Sequence, residues 1–238
     1  MAREFTGWKG DFKGFFVGLQ VNNSKAYFES HRKQYEGDVK APMVALLAEL
    51  EPEFGLGRLS RPNRDIRFSA DKSPYKTNIY ATTQRGGYVA LDADGLVAGG
   101  GRHMMEPADL AGFREAVDSS VSGEKLVSIV SALRAKGYEV AGQELKRVPP
   151  PHPQDHPRAD LLKHKRLIYW RRWAIEPWIA RPEARVRVVE AWRDGADLGR
   201  WLARHLGEEA VVPTRTASTN SKAGTSKKAA RSPIASDI

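Results

Sequence analysis

The spacing of hydrophobic residues gives the chain helical ends and a strand-rich middle. Apolar residues recur at helical intervals in six segments, 12–19, 27–35, 44–50, 110–117, 126–133 and 186–206. Shorter segments rich in β-branched and aromatic residues lie between them, at 66–68, 79–83, 87–91, 96–98 and 168–170. Glycine and aspartate turns separate the first four of these, which favours an antiparallel meander. We therefore predict an α+β fold, in which an antiparallel sheet is flanked by N-terminal and C-terminal helices.

The folded part of the chain is predicted to end before residue 213. Of the 238 residues, 41% are hydrophobic, which is enough for one core, so we expect a single domain over 1–212. The segment 213–238 has almost no large apolar residue, which predicts a disordered basic tail. No apolar run approaches the roughly 18 residues that span a bilayer, and the N-terminus lacks the apolar core of a secretory signal. We therefore expect a cytoplasmic protein with no membrane partner.

Net charge and cysteine content limit the classes of ligand and reaction that the protein can have. The formal net charge is +9, of which the tail carries +4 and the body +5. A basic body attracts anions in general, and it does not by itself indicate nucleic acid. The chain has no cysteine, so disulfides, thiolate catalysis and cysteine-ligated zinc are excluded.

The densest group of charged side chains lies within residues 64–77. Its candidate site residues are Arg64, Asp65, Arg67, Asp71, Lys72, Tyr75 and Lys76. Arginine offers a planar fork for phosphate or carboxylate, and lysine offers a mobile point charge. Asp65 and Asp71 are the candidate catalytic residues, as general base or as metal ligand. The pattern predicts a site for a small anionic ligand or nucleotide.

A structural salt-bridge network is the alternative interpretation of the same segment. The two aspartates would pair with two of the cations and fix a turn over 71–74. Two carboxylates cannot neutralise four cations, and this surplus favours the anion site. Arg114, on the helix after Pro107, is expected to point toward the sheet and to add to the positive site, although such an arginine is more often solvated.

These residues resemble a widespread bacterial and fungal family known as domain of unknown function 2461. The resemblance rests on Phe15-Phe16, Asn22-Asn23, Phe28, Tyr35, the block from Arg64 to Thr77, Gly99 to Gly101, Pro107, the Leu110 to Arg114 helix and the 156–165 stretch. It covers residues 5–206. The resemblance implies the fold and the location of the site. It implies no reaction, substrate or catalytic residue, and the cofactor stays unknown.

Three other segments carry reactive side chains, each with a structural alternative. The run from Gly99 to His103 offers backbone N–H groups to an anion, with Arg102 or His103 joining the central cluster, but a strand-to-helix turn that needs positive φ is the favoured explanation. His152 and His156 have the spacing of a zinc pair, but neighbouring prolines forbid a helix and favour a surface loop. The basic and aromatic residues of 163–173 suit stacking with single-stranded nucleic acid, unless the tryptophans are buried.

Three classes of function remain open. The favoured one is an anion-binding domain that uses the Arg/Lys/Asp cluster. The second is a phosphate-directed hydrolase or transferase, with Asp65 or Asp71 as base or Mg²⁺ ligand. The third is a nucleic-acid-binding or purely structural module.

Overall fold

The computed structural model describes residues 4–67 and 70–207, so the predicted tail lies outside the described residues. The helices are α1 (Phe12–Val21), α2 (Lys25–Ser30), α3 (Arg32–Gln34), α4 (Ala41–Phe54), α5 (Pro107–Asp118), α6 (Ser120–Ala135), α7 (Ala159–Leu162), α8 (Glu183–Asp194) and α9 (Ala196–Leu206), with a π-helix (Tyr35–Lys40) and a 3-10 helix (Pro177–Ala180). The strands are β1 (Gly57–Leu59), β2 (Asn78–Thr83), β3 (Gly87–Asp92), β4 (Leu96–Arg102), β5 (Glu139–Gln143) and β6 (His164–Trp173). Within this part of the chain no helix is long and apolar enough to cross a bilayer.

The strands form one antiparallel sheet in the order β1-β2-β3-β4-β6-β5. Strands β1 to β4 are consecutive neighbours and make the predicted meander. The chain then forms α5 and α6 before β6 pairs with the free edge of β4 and β5 pairs with β6. The α+β prediction, with helices before and after the meander, is confirmed.

The two faces of the sheet differ in burial. Ala81 pairs with Val89, and Val89 pairs with Ala98, so these three buried side chains share one face. Helices α4 and α8 pack on this covered face, where the Trp192 ring lies against Gly87. The opposite side, which we call the open face, carries Arg58, Tyr80, Thr82, Tyr88, Trp170 and Arg172. These six side chains are half-buried or exposed.

The hydrophobic core continues from the covered face into both groups of helices. In the N-terminal group, Phe15 and Phe16 are fully buried and pack edge to face, with ring centroids 5.4 Å apart. In the C-terminal group, the rings of Phe113 and Trp201 join α5 to α9 at 5.9 Å. Burial of each such side chain contributes about 1.5–3 kcal/mol, so the amphipathic stripes seen in the sequence are what hold the helices to the sheet.

Three local predictions were wrong. Ile66 and Arg67 lie in a loop rather than a strand, and Phe68 lies outside the described residues. Residues 57–59, where no strand is predicted, form β1, which pairs with β2. Gly99 to Gly101 lie inside β4 rather than in a turn after it. A β-carbon on Gly99 would lie 2.0 Å from the backbone oxygen of β6, so close strand approach is what requires glycine there.

Candidate functional site

The predicted cluster lies in a loop between β1 and β2, which we call the basic loop (residues 60–77). The base of the loop is held by an antiparallel bridge between Asn63 and Tyr75. Next to it, the Arg64 N–H donates to the Pro74 carbonyl at 2.9 Å. The two ends of the basic loop are therefore fixed to each other by backbone hydrogen bonds.

Tyr75 anchors the basic loop to the N-terminal helices. Its side chain is 6% exposed, and its ring stacks on Phe28 with centroids 4.2 Å apart and planes 4° apart. Its backbone is held by Asn23, whose Nδ2 donates to the Tyr75 carbonyl at 3.0 Å and whose Oδ1 accepts from the Tyr75 N–H at 3.0 Å. This contact is not visible in the sequence, because Tyr75 lies 52 residues from Asn23.

The two aspartates each bind an arginine. Arg67 donates from Nε and Nη2 to the Asp65 carboxylate at 2.9 and 2.6 Å, and Arg64 pairs with Asp71. The Arg67 hydrogen bonds lower the pKa of Asp65 to about 2. Hydrogen bonds from Ser73 and then from Arg64 lower the pKa of Asp71 to about 2. Both carboxylates are therefore ionised acceptors at neutral pH and weak proton acceptors.

The two lysines close the loop through backbone oxygens. Lys76 Nζ donates to the Arg61 carbonyl at 2.5 Å and lies 5.6 Å from the centre of the Tyr80 ring. Burial, and then the charge of Arg61, lower the pKa of Lys76. Lys72 Nζ donates to the Ile66 carbonyl at 3.0 Å. The lysine heads thus contribute to the shape of the loop as well as to its charge.

The loop retains a surplus of positive charge after these pairs are made. Its five cations are Arg61, Arg64, Arg67, Lys72 and Lys76, against the two aspartates, a net of +3. Arg61 forms no ion pair with any described residue. The Arg67–Asp65 pair is exposed, at 75% and 45% of the two side chains, and such pairs contribute only about 0–1 kcal/mol. The loop therefore shows both the closed pairs of the structural interpretation and the surplus of the anion-site interpretation.

Arg114 lies away from the basic loop. It belongs to α5, which packs mainly against α6, α7 and α9. Helix α5 follows the end of β4 that is level with the end of β2, whereas the basic loop precedes the start of β2. Arg102 ends β4 at that same distant end, with a buried side chain that lines a cleft. Neither arginine is brought to the cluster.

The two candidate zinc histidines meet one carboxylate. His152 Nδ1 and His156 Nε2 lie 3.3 and 3.1 Å from the same Asp118 oxygen. The Arg158 N–H donates to His156 Nδ1 at 3.0 Å, so Nδ1 is an acceptor and Nε2 carries the proton that is donated to Asp118. A nitrogen that carries a proton is not a metal ligand. In the described part of the chain no group of three or more His, Asp or Glu side chains is arranged to hold a metal ion.

The aromatic residues near the basic strand β6 are only partly buried. Trp170 and Trp173 are half-buried, and Arg172 makes a two-point ion pair with Asp92 at 2.8 and 3.0 Å. On the open face, the rings of Tyr80 and Tyr88 lie 5.8 Å apart. These tyrosines were missed in the sequence, although both occupy the non-core positions of strands with clear alternation.

The open face and the basic loop are neighbours. Lys76 connects them, because its head lies over the Tyr80 ring while its backbone closes the loop. A ligand with both phosphate and aromatic groups would find cations and half-exposed rings side by side.

Comparison with known proteins identifies a family and no activity. The family model described as Conserved hypothetical protein (DUF2461) matches residues 11–201 of the chain. Comparisons with the curated proteins and with the solved structures gave no match.

Proposed function

The chain belongs to the DUF2461 family of conserved hypothetical proteins, and we propose that it binds a phosphate- or carboxylate-bearing ligand on its basic loop. What supports the proposal is the net +3 charge that remains in the loop, with Arg61 outside every ion pair of the described residues. Burial, and then repulsion from Arg61, lower the pKa of Lys76, and an anion next to Arg61 would relieve the second of these. We place this protein in the cytoplasm as part of the same proposal.

The geometry gives less support to a hydrolase or transferase. Asp65 and Asp71 both accept hydrogen bonds from arginines, and a pKa of about 2 makes each a poor general base near neutral pH. The observed contacts therefore favour ligand binding without a catalysed reaction. In this proposal the ion pairs shape the loop and Arg61 faces the ligand.

A thermal-shift titration with inorganic phosphate tests the proposal. Saturation at about 100 times Kd stabilises a protein by about 2.7 kcal/mol, which raises the Tm of a domain of this size by about 5–10 °C. We expect Arg61→Gln to remove most of that shift. Arg147→Gln is the matched control, because Arg147 is an exposed arginine in another loop. Equal shifts in both variants, or none in the unmodified protein, would contradict the proposal.

Single-stranded nucleic acid is the second candidate, and the open face is the observation that favours it. The half-buried rings of Tyr80 and Tyr88 lie on this face beside the basic loop. Stacking of a base on an aromatic side chain contributes about 1–3 kcal/mol. We therefore expect Tyr88→Leu to weaken binding of a labelled oligo-dT about 5- to 150-fold.

Salt dependence separates the two candidates. For single-stranded nucleic acid, each lost phosphate contact makes the negative slope of log K against log salt less steep by about 0.7. Arg61→Gln is therefore expected to make the slope less steep by that amount. If the oligonucleotide does not bind at low salt while inorganic phosphate does, the nucleic-acid candidate is excluded and the small-anion proposal stands.

A further inference from the structure

A cleft lies at the end of the sheet that is farthest from the basic loop. It has a volume of about 770 Å³ and lies where the β2–β3 turn and the end of β4 meet the junction of α8 and α9. This volume is typical of sites for drug-sized ligands and cofactors, which run from about 300 to 1,000 Å³. The six residues of β2 separate the cleft from the basic loop, a distance of about 20 Å at about 3.3 Å per residue.

The lining of the cleft carries an excess of positive charge. Four arginines and one carboxylate line it, a net of +3: Arg85, Arg102, Arg193, Arg200 and Glu53. The Glu53 carboxylate is paired with one of these arginines, because it accepts two hydrogen bonds from Arg193 at 2.7 Å each. Of the other three guanidinium groups, Arg200 pairs with Asp197, outside the lining, while Arg85 donates to the Glu53 carbonyl and Arg102 to the Gly207 carbonyl. Arg85 and Arg102 therefore have no carboxylate at hydrogen-bond distance among the described residues.

Arg102 is the buried charge in the wall of this cleft. It is 6% exposed. Its Nη2 donates to the Gly207 carbonyl at 2.5 Å, and its Nη1 lies 3.9 Å from the Asp109 carboxylate, beyond hydrogen-bond distance. Burying a cation without close compensation costs several kcal/mol. An anion in the cleft would supply that compensation, so the wall is arranged to favour a negatively charged guest.

The remaining lining is largely apolar. Phe54 and Trp192 lie edge to face on one side, with ring centroids 4.9 Å apart, and Leu202 lines the cleft from α9. Positive charge beside apolar rings suits a molecule with a charged group at one end and an apolar body at the other. We propose that this cleft binds a small organic anion, with a phosphate or carboxylate group near Arg102 and an apolar body against Phe54 and Trp192.

Glycines on helices provide a direct test by filling the cleft. A β-carbon added to Gly199, which lines the cleft on α9, meets no atom within 4 Å. The same is true of Gly37, on the exposed side of the π-helix near the N-terminus and away from the cleft. Gly199→Phe therefore places a ring in the cleft without a clash at the backbone, and Gly37→Phe is its matched control. Ala203→Phe, one turn further along α9, is a second filling variant.

Isothermal titration of the full chain with phenyl phosphate measures the effect. We expect Gly199→Phe and Ala203→Phe to weaken the phenyl phosphate site at least about 10-fold, a change of about 1.4 kcal/mol. Gly37→Phe and the basic-loop variant Arg61→Gln are expected to leave it unchanged. The inference is overturned if the unmodified protein does not bind phenyl phosphate, if the filling variants bind as tightly as Gly37→Phe, or if only Arg61→Gln loses binding. The last result would keep the basic-loop proposal while removing this one. The expected result, loss in the filling variants alone, assigns the phenyl phosphate site to the cleft and leaves the basic-loop proposal to its own test with inorganic phosphate.

Discussion

Asn23→Ala is the substitution that tests most directly how the basic loop is held. The amide of Asn23 takes the place of a neighbouring strand, because it both donates to and accepts from the backbone of Tyr75 at 3.0 Å. Alanine removes both hydrogen bonds and leaves the Tyr75 N–H and C=O without that partner. The Tyr75 ring keeps its contact with Phe28, so the change removes polar anchoring and little packing.

The size of the effect follows from these two bonds. A protein hydrogen bond contributes about 0.5–1.5 kcal/mol net, so Asn23→Ala should lower the free energy of unfolding by about 1–3 kcal/mol. Tyr75→Ala deletes the buried ring as well, and loss of a buried aromatic side chain costs about 3–5 kcal/mol. The expected order of destabilisation is therefore Tyr75→Ala, then Asn23→Ala.

Urea unfolding followed by circular dichroism measures both values. Asn22→Ala is the matched control, because Asn22 is the preceding residue, is exposed, and makes no side-chain hydrogen bond within the described residues. We expect its free energy of unfolding to stay within about 0.5 kcal/mol of the unmodified protein. Equal destabilisation by Asn22→Ala and Asn23→Ala would refute the argument that the Asn23 amide anchors the loop.

Three further predictions concern single side chains. Arg67→Gln removes the side-chain hydrogen bonds that contribute most to lowering the pKa of Asp65 to about 2 and leaves the bond from the backbone N–H of residue 67, so a carboxyl NMR titration should show this pKa rising part of the way toward about 3.9; an unchanged midpoint contradicts the pairing. Burial lowers the pKa of His164, so the unfolded chain binds more protons and stability falls as the pH drops below about 6.5. The urea midpoint of His164→Gln should fall less steeply between about pH 7 and pH 5, and an identical slope counts against a role for this ring. A β-carbon on Gly195 would lie 1.9 Å from the Tyr169 hydroxyl oxygen, so Gly195→Ala should lose about 1–3 kcal/mol by overpacking, and an unchanged Tm disagrees with that contact.

Strand β2 was predicted because one side of it is buried and the other is not, whereas β3 and β4 were predicted from short apolar runs bounded by turns. In β2, Ile79 and Ala81 are buried while Tyr80 between them is not, so the alternation is visible without the partner strands. The missed strands, β1 and β5, are the two edges of the sheet. They have three and five residues, and each pairs with only one neighbour. Their conformation is decided by that neighbour rather than by their own composition.

The glycine run in β4 shows how a local rule was overridden by packing. Three glycines in succession are typical of a turn, because glycine tolerates backbone conformations that other residues avoid. Here a β-carbon on Gly100 would lie 2.5 Å from the Gly86 carbonyl and 3.2 Å from the Tyr169 ring. The glycines of β4 therefore allow neighbouring segments to approach the strand closely, and those segments are far apart in the sequence.

The charged cluster was predicted in composition and only partly in geometry. The sequence shows four cations and two carboxylates between residues 64 and 76, but it does not show which will pair. Asp65 accepts hydrogen bonds from Arg67, two residues away, and both residues lie in a loop. The cleft was beyond prediction for a different reason, since Arg85, Arg102 and Arg200 come from three separated segments and none has a distinctive local motif.

The two basic regions, the basic loop and the cleft, should act independently. Each carries a net +3, and the length of β2 holds them about 20 Å apart. The Debye length is about 8 Å at physiological ionic strength, so charges at that separation are largely screened from each other. Arg61→Gln should therefore change the affinity of the basic loop for phosphate by the same amount, within about 0.5 kcal/mol, with or without Arg200→Gln in the cleft. A larger departure from additivity at physiological salt would mean that the sheet itself couples the two ends, through a rearrangement of β2 rather than through the field of the charges.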